Sequence, residues 1–487
     1  MKYINTPIPQ HLNTFLLLIF FLTSCQHQQK TQGVTQEDQH PNIILIMADD
    51  QGWGDTGYNG HPYLKTPNLD AMVAEGVQFN RFYAAAPVCS PTRGSVMTGR
   101  HPSRYGICSA NCGHIKKEEI TMAEWLKERG YATGHFGKWH LGTLTKKVLD
   151  GNRGGKPEQE AHYAPPWEHG FDVCFSTESK VPTWDPMVTP NVEAGGVKKT
   201  LVEGGPYGTY YWTGPERMET NNLEGDDSRV IMDRAVPFIE DAVSSNKSFF
   251  TIIWFHTPHL PVLTSQKYRE PYLDLSEDEQ HYYGCITAMD EQVGRLRSKL
   301  EALGVAENTM IWYTSDNGPE GGTRTGRNQG TTKGLKGRKR SLYDGGTRVP
   351  GILVWPAKIK KASIVDVPCF TSDYFPTIMA SLNESPTDLN RPFDGQDITG
   401  IYQGRQQERS NYIAHSYSKQ LSLMDNRYKL YRKNEDQEYE LYDLINDPGE
   451  QQDLAKQKPD QLQEMVNYLN DWKSSVEKSA EGKDYGL

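Results

Sequence analysis

Three apolar runs, each followed at once by polar side chains, constrain the fold of this chain most strongly. The runs are residues 42–47 (NIILIM), 248–255 (SFFTIIWF) and 309–313 (TMIWY). Continuous apolar runs of this length are typical of strands buried on both faces of a parallel sheet. Helical patterns lie between them, over 67–75, 122–129, 228–242 and 282–303. This alternation predicts an α/β fold with a mostly parallel central sheet flanked by helices.

Two of these runs end in carboxylate and amide side chains. Asp49 and Asp50 follow the first run, and Asp316 and Asn317 follow the last. In parallel sheets, ligands bind outside the carboxyl ends of the strands, so we expect these side chains to meet there. Oxygen ligands of this kind suit Ca²⁺ or Mg²⁺ better than Zn²⁺. Alone, Asp49 and Asp50 would indicate a turn and a helix cap; together, the four residues predict a metal site.

The pattern changes after about residue 385. Short alternating stretches occupy 411–415, 428–432 and 439–443, and a helical pattern covers 459–476. They predict a smaller carboxy-terminal α+β domain, residues 386–487, with an antiparallel sheet beside a catalytic domain of residues 41–385. Residues 143–225 are rich in Gly, Pro, Trp and Tyr and predict long loops that shape a substrate site.

The first 40 residues are interpreted as an export signal and a tether. Residues 15–22 (FLLLIFFL) are too few for a membrane span and are typical of the apolar region of a signal peptide. The small residues before Cys25 resemble the lipobox of bacterial lipoproteins; an ordinary secretory signal is the alternative. We expect removal of residues 1–24, a lipid anchor at Cys25 and a polar tether over 25–40. This places the protein in the periplasm or on the outer membrane of a Gram-negative bacterium.

Charge and cysteine content exclude several classes of protein. The net charge of −10 argues against nucleic-acid binding through overall charge, and seven cysteines are too few for a disulfide scaffold. Residues 324–348 nevertheless carry eight basic residues against one acid, Asp344. A solvated loop and an anion site both remain open for this basic run.

One segment, residues 89–100 (CSPTRGSVMTGR), carries a signature. It resembles the C-x-P-S/T-R motif of the type I, formylglycine-dependent sulfatases, which have the alkaline-phosphatase-like fold. A short cysteine motif alone is weak evidence for a family. Further segments of the family pattern are present in the expected order along the chain. They are Asp49-Asp50, 137–142 (GKWHLG), 258–261 (PHLP), 316–318 (DNG) and Lys339 ahead of 343–350 (YDGGTRVP). The resemblance covers residues 40–455.

The resemblance implies that a maturation enzyme oxidises Cys89 to formylglycine. Its hydrated aldehyde supplies two hydroxyls: one attacks sulfur and displaces the alcohol, and the second expels sulfate. The resemblance also implies one Ca²⁺ ion. Its ligands would be Asp49, Asp50, the modified Cys89, Asp316 and Asn317.

Five further residues match family positions with expected roles. Arg93 would hold the hydrated aldehyde, and Lys138 and Lys339 would bind the sulfate oxygens. His140 would assist the release of sulfate. His259 would protonate the leaving oxygen together with the second lysine.

The motif leaves three assignments open. Lys336 could take the place of Lys339, because Arg338 and Arg340 stand where the family often has glycine. His256 is interpreted as a packed residue and His259 as the functional one. Arg338 and Arg340 are hypothesised to contact a second anionic group of the substrate.

The leading hypothesis is therefore a sulfatase acting on a sulfated carbohydrate, such as ulvan, carrageenan or glycosaminoglycan fragments. A phosphatase or phosphodiesterase of the same superfamily is the alternative, although such enzymes generally use Ser or Thr and a His-rich two-zinc site. A third hypothesis is an inactive glycan-binding lipoprotein. Cys108 and Cys112 could pair or stay free, whereas Cys174, Cys285 and Cys369 are expected to be buried.

Overall fold

The computed structural model describes residues 40–191 and 195–485. The expected signal peptide, the Cys25 anchor and nearly all of the tether lie outside the described residues. In the described part of the chain, no helix is both long enough and apolar enough to cross a membrane.

Strands and helices are numbered in chain order. The strands are β1 (Asn42–Ala48), β2 (Val77–Phe79), β3 (Phe82–Tyr83), β4 (Ala132–Lys138), β5 (Val173–Thr177), β6 (Trp212–Gly214), β7 (Arg217–Met218), β8 (Phe249–Trp254), β9 (Thr309–Ser315), β10 (Arg348–Val349), β11 (Gly351–Val354), β12 (Ser363–Val365), β13 (Cys369–Phe370), β14 (Ile413–Tyr417), β15 (Gln420–Met424), β16 (Tyr428–Arg432) and β17 (Glu440–Asp443). The helices are α1 (Pro67–Glu75), α2 (Cys89–Thr98), α3 (Met122–Lys127), α4 (Asp227–Ser244), α5 (Gln266–Arg269), α6 (Glu277–Ala302), α7 (Asp344–Thr347), α8 (Tyr374–Ser381), α9 (Thr399–Tyr402) and α10 (Pro459–Ala480).

The large sheet has the order β12-β2-β11-β9-β1-β8-β4-β5-β6-β7. The five strands from β9 to β5 run parallel, and antiparallel pairings occur toward both edges. The three apolar runs are the adjacent central strands β9, β1 and β8, so the predicted fold class is confirmed. Ala48 of β1 lies opposite Ser315 of β9, which brings the polar residues after both strands to the same edge.

Strand β1 is apolar throughout because both of its faces are covered. Ile43, Leu45 and Met47 join a core on one face that includes Trp312 of β9. Ile44 and Ile46 face a second core, to which helices α1, α4 and α6 contribute. Helix α6 begins with a reciprocal capping box between Ser276 and Glu279, which satisfies backbone groups at its first turn.

The carboxy-terminal region contains the expected antiparallel sheet and helix. Strands β14 to β17 pair in sequence order, and helix α10 covers them through Met465 and Leu469. The sequence pattern did not predict β15 (Gln420–Met424), which pairs with both β14 and β16. The other side of this sheet packs against Tyr83 and Phe370 of the small sheet β10-β3-β13.

Asp394 ties helix α10 to the segment that follows helix α2. It accepts hydrogen bonds from the Arg104 Nε at 2.7 Å, the His101 backbone N–H at 2.6 Å and the Trp472 Nε1 at 2.8 Å. Burial alone would raise the pKa of Asp394, but the Arg104 guanidinium and the donors around it lower that pKa to about 2. The carboxylate is therefore stabilised in its charged form by contacts that only the folded chain provides.

We predict that Asp394→Asn lowers the free energy of unfolding by about 2 kcal/mol at pH 7. Because the folded pKa lies below the usual 3.8, this stabilisation is complete above about pH 4 and is lost as pH falls toward 2. Urea unfolding between pH 7 and pH 2.5 measures the difference between wild type and variant. Asp397→Asn, at an exposed aspartate three residues away, is the matched control. A difference that stays constant with pH contradicts the prediction.

Candidate active site and metal centre

Four polar side chains meet where β1 and β9 end. The Asp50 backbone N–H donates to Asp316 Oδ1 at 3.1 Å, and Asn317 Nδ2 donates to Asp50 Oδ1 at 2.7 Å. Asp49 completes the set, and all four residues are buried. The parallel register of the two strands is what brings together residues more than 260 positions apart in the sequence.

Three basic side chains each pair with one of the three carboxylates. The pairs are Lys138 Nζ with Asp49 Oδ2 at 2.6 Å, Lys339 Nζ with Asp50 Oδ1 at 2.6 Å, and Arg93 Nη2 with Asp316 Oδ2 at 2.7 Å. Buried charges persist only when they are paired in this way, because an unpaired ion loses its hydration without compensation. Two of the three positive groups, Lys138 and Lys339, also line the cavity beside Cys89, whereas Arg93 is fully buried behind it.

Cys89 is the first residue of helix α2, whose ten residues are all buried. Its Sγ lies 3.5 Å from Asp49 Oδ1. Burial, and then the charge of Asp316, raise the pKa of the Cys89 thiol well above its usual range. Because the thiolate is the reactive form of cysteine, Cys89 as an unmodified thiol is a poor nucleophile here.

The two histidines that follow β8 differ in their surroundings. His259 lines a cavity, with Nε2 3.6 Å from Asp50 Oδ2. His256 is fully buried between Asp227 Oδ2 and Thr177 Oγ1, each at 2.8 Å. The structure therefore places His259, and not His256, at the cluster formed by Asp49, Asp50, Asp316 and Asn317.

The structure also separates Lys339 from its neighbours in the basic run. Lys336 lies over the rings of Tyr343 and Tyr442 and away from the carboxylates, so the lysine at the cluster is Lys339. Its ammonium also lies 3.1 Å from Glu320.

The two flanking arginines have different partners. Arg338 donates to the backbone carbonyls of Glu320, Gly321 and Gly330, and it does not line the cavity beside Cys89. These contacts hold the loop together, and Arg338 lines a neighbouring pocket with Lys339 and Arg340. A contact between Arg338 and the substrate stays a prediction. Arg340 does line the cavity, is about half exposed and pairs with Glu320.

The cavity beside the cluster has a volume of about 380 Å³. Cys89, Lys138, His140, His259 and Lys339 contribute to its wall. The sequence motifs did not single out several other lining residues. They are Val88, Ser109, Ala110, Asn111, Asn152, Ser179, Lys180, Gly196, Glu320 and Tyr417.

Two of these residues have sequence features from which they could have been predicted. Asn111 stands between Cys108 and Cys112, which form a disulfide with an S–S distance of 2.04 Å. Lys180 follows strand β5 closely, at the same sheet edge as the cluster. Burial, and then the charge of Lys138, lower the pKa of Lys180 to about 8.

The remaining cysteines, Cys174, Cys285 and Cys369, are free and buried as expected.

The donor set of the cluster fits a hard cation. Asp49, Asp50, Cys89 and His259 offer ligand atoms that all lie within 4.8 Å of one another. Asn317 Oδ1 is buried and has no hydrogen-bond partner among the described residues. Because carboxylate and amide oxygens dominate the set, it suits Ca²⁺ or Mg²⁺ better than zinc.

The electrostatics of the carboxylates also favour a bound cation. Burial, and then the neighbouring charge of Asp49, raise the pKa of Asp316 to about 6. Mutual repulsion of this kind is relieved by a positive ion among the carboxylates.

The chain is similar to several known proteins. The family model described as Sulfatase matches residues 41–384, and one described as N-sulphoglucosamine sulphohydrolase, C-terminal, matches residues 337–478. The N-acetylgalactosamine-6-sulfatase of Canis lupus familiaris is 32% identical over 389 residues, covering 77% of this chain and 68% of that protein. Arylsulfatase G of Mus musculus is 30% identical over 415 residues, covering 79% and 73%. The crystal structure of Ps i-CgsB in complex with k-i-k-neocarrahexaose has a TM-score of 0.73 and 25% identity, covering 92% and 97%.

Proposed function

The chain belongs to the sulfatase family and is a sulfuric ester hydrolase, and we propose that it removes sulfate from a sulfated carbohydrate. The observation that carries the proposal is the position of Cys89, at the start of a buried helix and among three carboxylates paired with three basic groups. The substrate class is supported by relatives named for sulfated sugars and by a similar structure bound to a carrageenan-type hexasaccharide. Oligosaccharides derived from ulvan, carrageenan or glycosaminoglycans are of this class.

The proposal includes oxidation of Cys89 to formylglycine by a maturation enzyme. The hydrated aldehyde supplies an oxygen nucleophile for sulfur, which the buried, protonated thiol cannot supply. Arg93 is placed to orient this group, because its guanidinium is buried and lies 3.8 Å from Asp49 Oδ1, itself next to Cys89.

The proposal also includes one Ca²⁺ ion. Asp49, Asp50, Asp316 and Asn317 would hold it together with the modified Cys89. The closeness of the ligand atoms of Asp49, Asp50 and Cys89 supports these three, and Asn317 Oδ1, which has no hydrogen-bond partner among the described residues, supports the fourth. When bound, the ion supplies positive charge that favours the deprotonated nucleophile and the charge of a sulfate oxygen.

The protein's own cations would bind the sulfate. Lys138 and Lys339 line the cavity together with Cys89, and their ammonium groups are buried with the carboxylates. The charge of Asp50 keeps the pKa of Lys339 well above its usual range although burial opposes it, so this lysine stays charged. Fixed positive groups in a buried site stabilise developing negative charge without reorganising.

The histidines would handle protons. Burial, and then the neighbouring cations, hold the pKa of His140 well below its usual range. His259 lines the cavity with Lys339, which fits delivery of a proton to the leaving alcohol oxygen from this side. His140 also lines the cavity, which fits a role in the release of sulfate.

Export completes the proposal. The apolar run at residues 15–22 and the small residues before Cys25 support a lipoprotein anchored at Cys25, in the periplasm or on the outer membrane. An enzyme in that location would meet fragments of extracellular polysaccharides.

We predict that the matured enzyme hydrolyses aryl sulfate with a kcat/KM at least about 100-fold above that for the matching aryl phosphate. Cys89→Ala should lower sulfatase activity by at least about 1000-fold, because it removes the nucleophile. Cys174→Ala, at another buried free cysteine, is the matched control and should leave activity within about twofold. Faster turnover of the phosphate, or an active Cys89→Ala variant, would sink the proposal and favour the phosphatase alternative.

We predict that Ca²⁺ raises the melting temperature of the chelator-treated protein, because a ligand bound only by the folded state stabilises it. Asn317→Ala should lose this increase. Asn42→Ala is the matched control: it removes a buried asparagine at the opposite end of β1, so it should keep the Ca²⁺ response. A Ca²⁺ response that survives in Asn317→Ala would contradict the assigned ligand set.

A further inference from the structure

The loop closed by the Cys108–Cys112 disulfide forms part of the cavity wall. Ser109, Ala110 and Asn111 all line the cavity, and the Cys112 backbone N–H donates to the Ser109 carbonyl at 3.2 Å. Asn111 has a φ of +61°, in the left-handed region that asparagine tolerates better than most residues. The disulfide, the turn and this backbone conformation together fix where the Asn111 side chain lies.

The Asn111 side chain contacts a ring nitrogen of His140. Its Oδ1 accepts a hydrogen bond from His140 Nε2 at 3.0 Å and another from Asn152 Nδ2 at 3.3 Å. Because an amide oxygen can only accept, Asn111 Oδ1 is the acceptor in both hydrogen bonds. His140 must then carry its proton on Nε2.

The rest of His140 is also held in place. Its backbone N–H donates to the Glu178 carbonyl at 3.1 Å, and its φ is +58°. Its Nδ1 is buried and has no hydrogen-bond partner among residues 40–191 and 195–485. A neutral ring protonated at Nε2 can accept a proton only at Nδ1.

The disulfide loop and His140 are both held by hydrogen bonds to Arg153 and Glu178. Arg153 Nη1 donates to the Gly113 carbonyl at 2.7 Å, directly after the disulfide. The Arg153 backbone N–H donates to Glu178 Oε1 at 3.0 Å, and Glu178 also receives the His140 backbone. The loop and the histidine are therefore held against the same pair of buried residues.

We infer that Asn111 is a positioning residue for His140: from its disulfide-closed loop it selects the ring tautomer with the proton on Nε2 and the lone pair on Nδ1. This inference rests on the proposed function, because it concerns the histidine expected to assist the release of sulfate. Groups that orient a catalytic or metal-binding histidine commonly change activity by 10–100-fold when they are removed.

The kinetic test uses the full chain with two replacements at one position. Asn111→Ala removes the acceptor and should lower kcat about tenfold while KM stays within about twofold. Asn111→Asp keeps an acceptor oxygen and should retain most of kcat. Asn383→Ala is the matched backbone control, since Asn383 is an exposed asparagine with a φ of +62°. It should leave both kinetic constants unchanged.

The direct test reads the tautomer of His140 by NMR on protein labelled with ¹⁵N in the histidine rings. The His140 signals are assigned from their loss in His140→Gln. Wild type should show protonation at Nε2, and Asn111→Ala should show a mixture of the two tautomers. A merely structural role for Asn111 would change stability without changing these signals.

The outcomes separate the two levels of the proposal. Nε2 protonation in wild type that is unchanged in Asn111→Ala, or an unchanged kcat in an enzyme with sulfatase activity, overturns the role of Asn111. If wild type hydrolyses no sulfate ester but its His140 tautomer responds to Asn111→Ala, the proposed function fails and the positioning contact stands.

Discussion

The parallel pairing of β1 with β9 is the constraint on which the rest of the site depends. It places Asp49 and Asp50 beside Asp316 in the buried edge of the sheet, where three carboxylates would repel one another. Such a group persists only with compensating positive charge. Arg93 of helix α2, the lysine that ends β4 and Lys339 of the basic loop supply it. The proposed anion-binding groups and the proposed cation site thus both follow from one buried charge balance.

Much of this arrangement could be predicted from local sequence. The central strands are continuous apolar runs with polar ends, and helix α1 has the predicted bounds. Short elements with mixed patterns could not be predicted in this way. An example is β15 (Gln420–Met424), which pairs with a strand on each side. Whether this segment forms a strand depends on pairing with its neighbours, and the residues of the segment alone do not determine that pairing.

Some residues of the site could be predicted from the sequence, and others could not. Residues in recognisable motifs, such as Cys89 and Lys339, could be assigned from the sequence. Asn111 could not, because its contact with His140 depends on how a loop folds across the chain. The position of Arg338 could not be predicted from its charge either, because three backbone carbonyls accept hydrogen bonds from its guanidinium. The basic run therefore combines Lys339 at the carboxylates, Arg338 within the loop and Arg340 at the cavity, and its composition alone does not separate these positions.

The central claim is that the buried Cys89 works as an aldehyde and not as a thiol. It is tested most directly by hydrazide tagging and mass spectrometry of the tryptic peptide of residues 82–93, from protein coexpressed with a maturation enzyme. The account predicts an aldehyde at Cys89, in a fraction that rises in proportion to the specific sulfatase activity of each preparation. Full sulfatase activity in protein whose Cys89 remains entirely a thiol would contradict it.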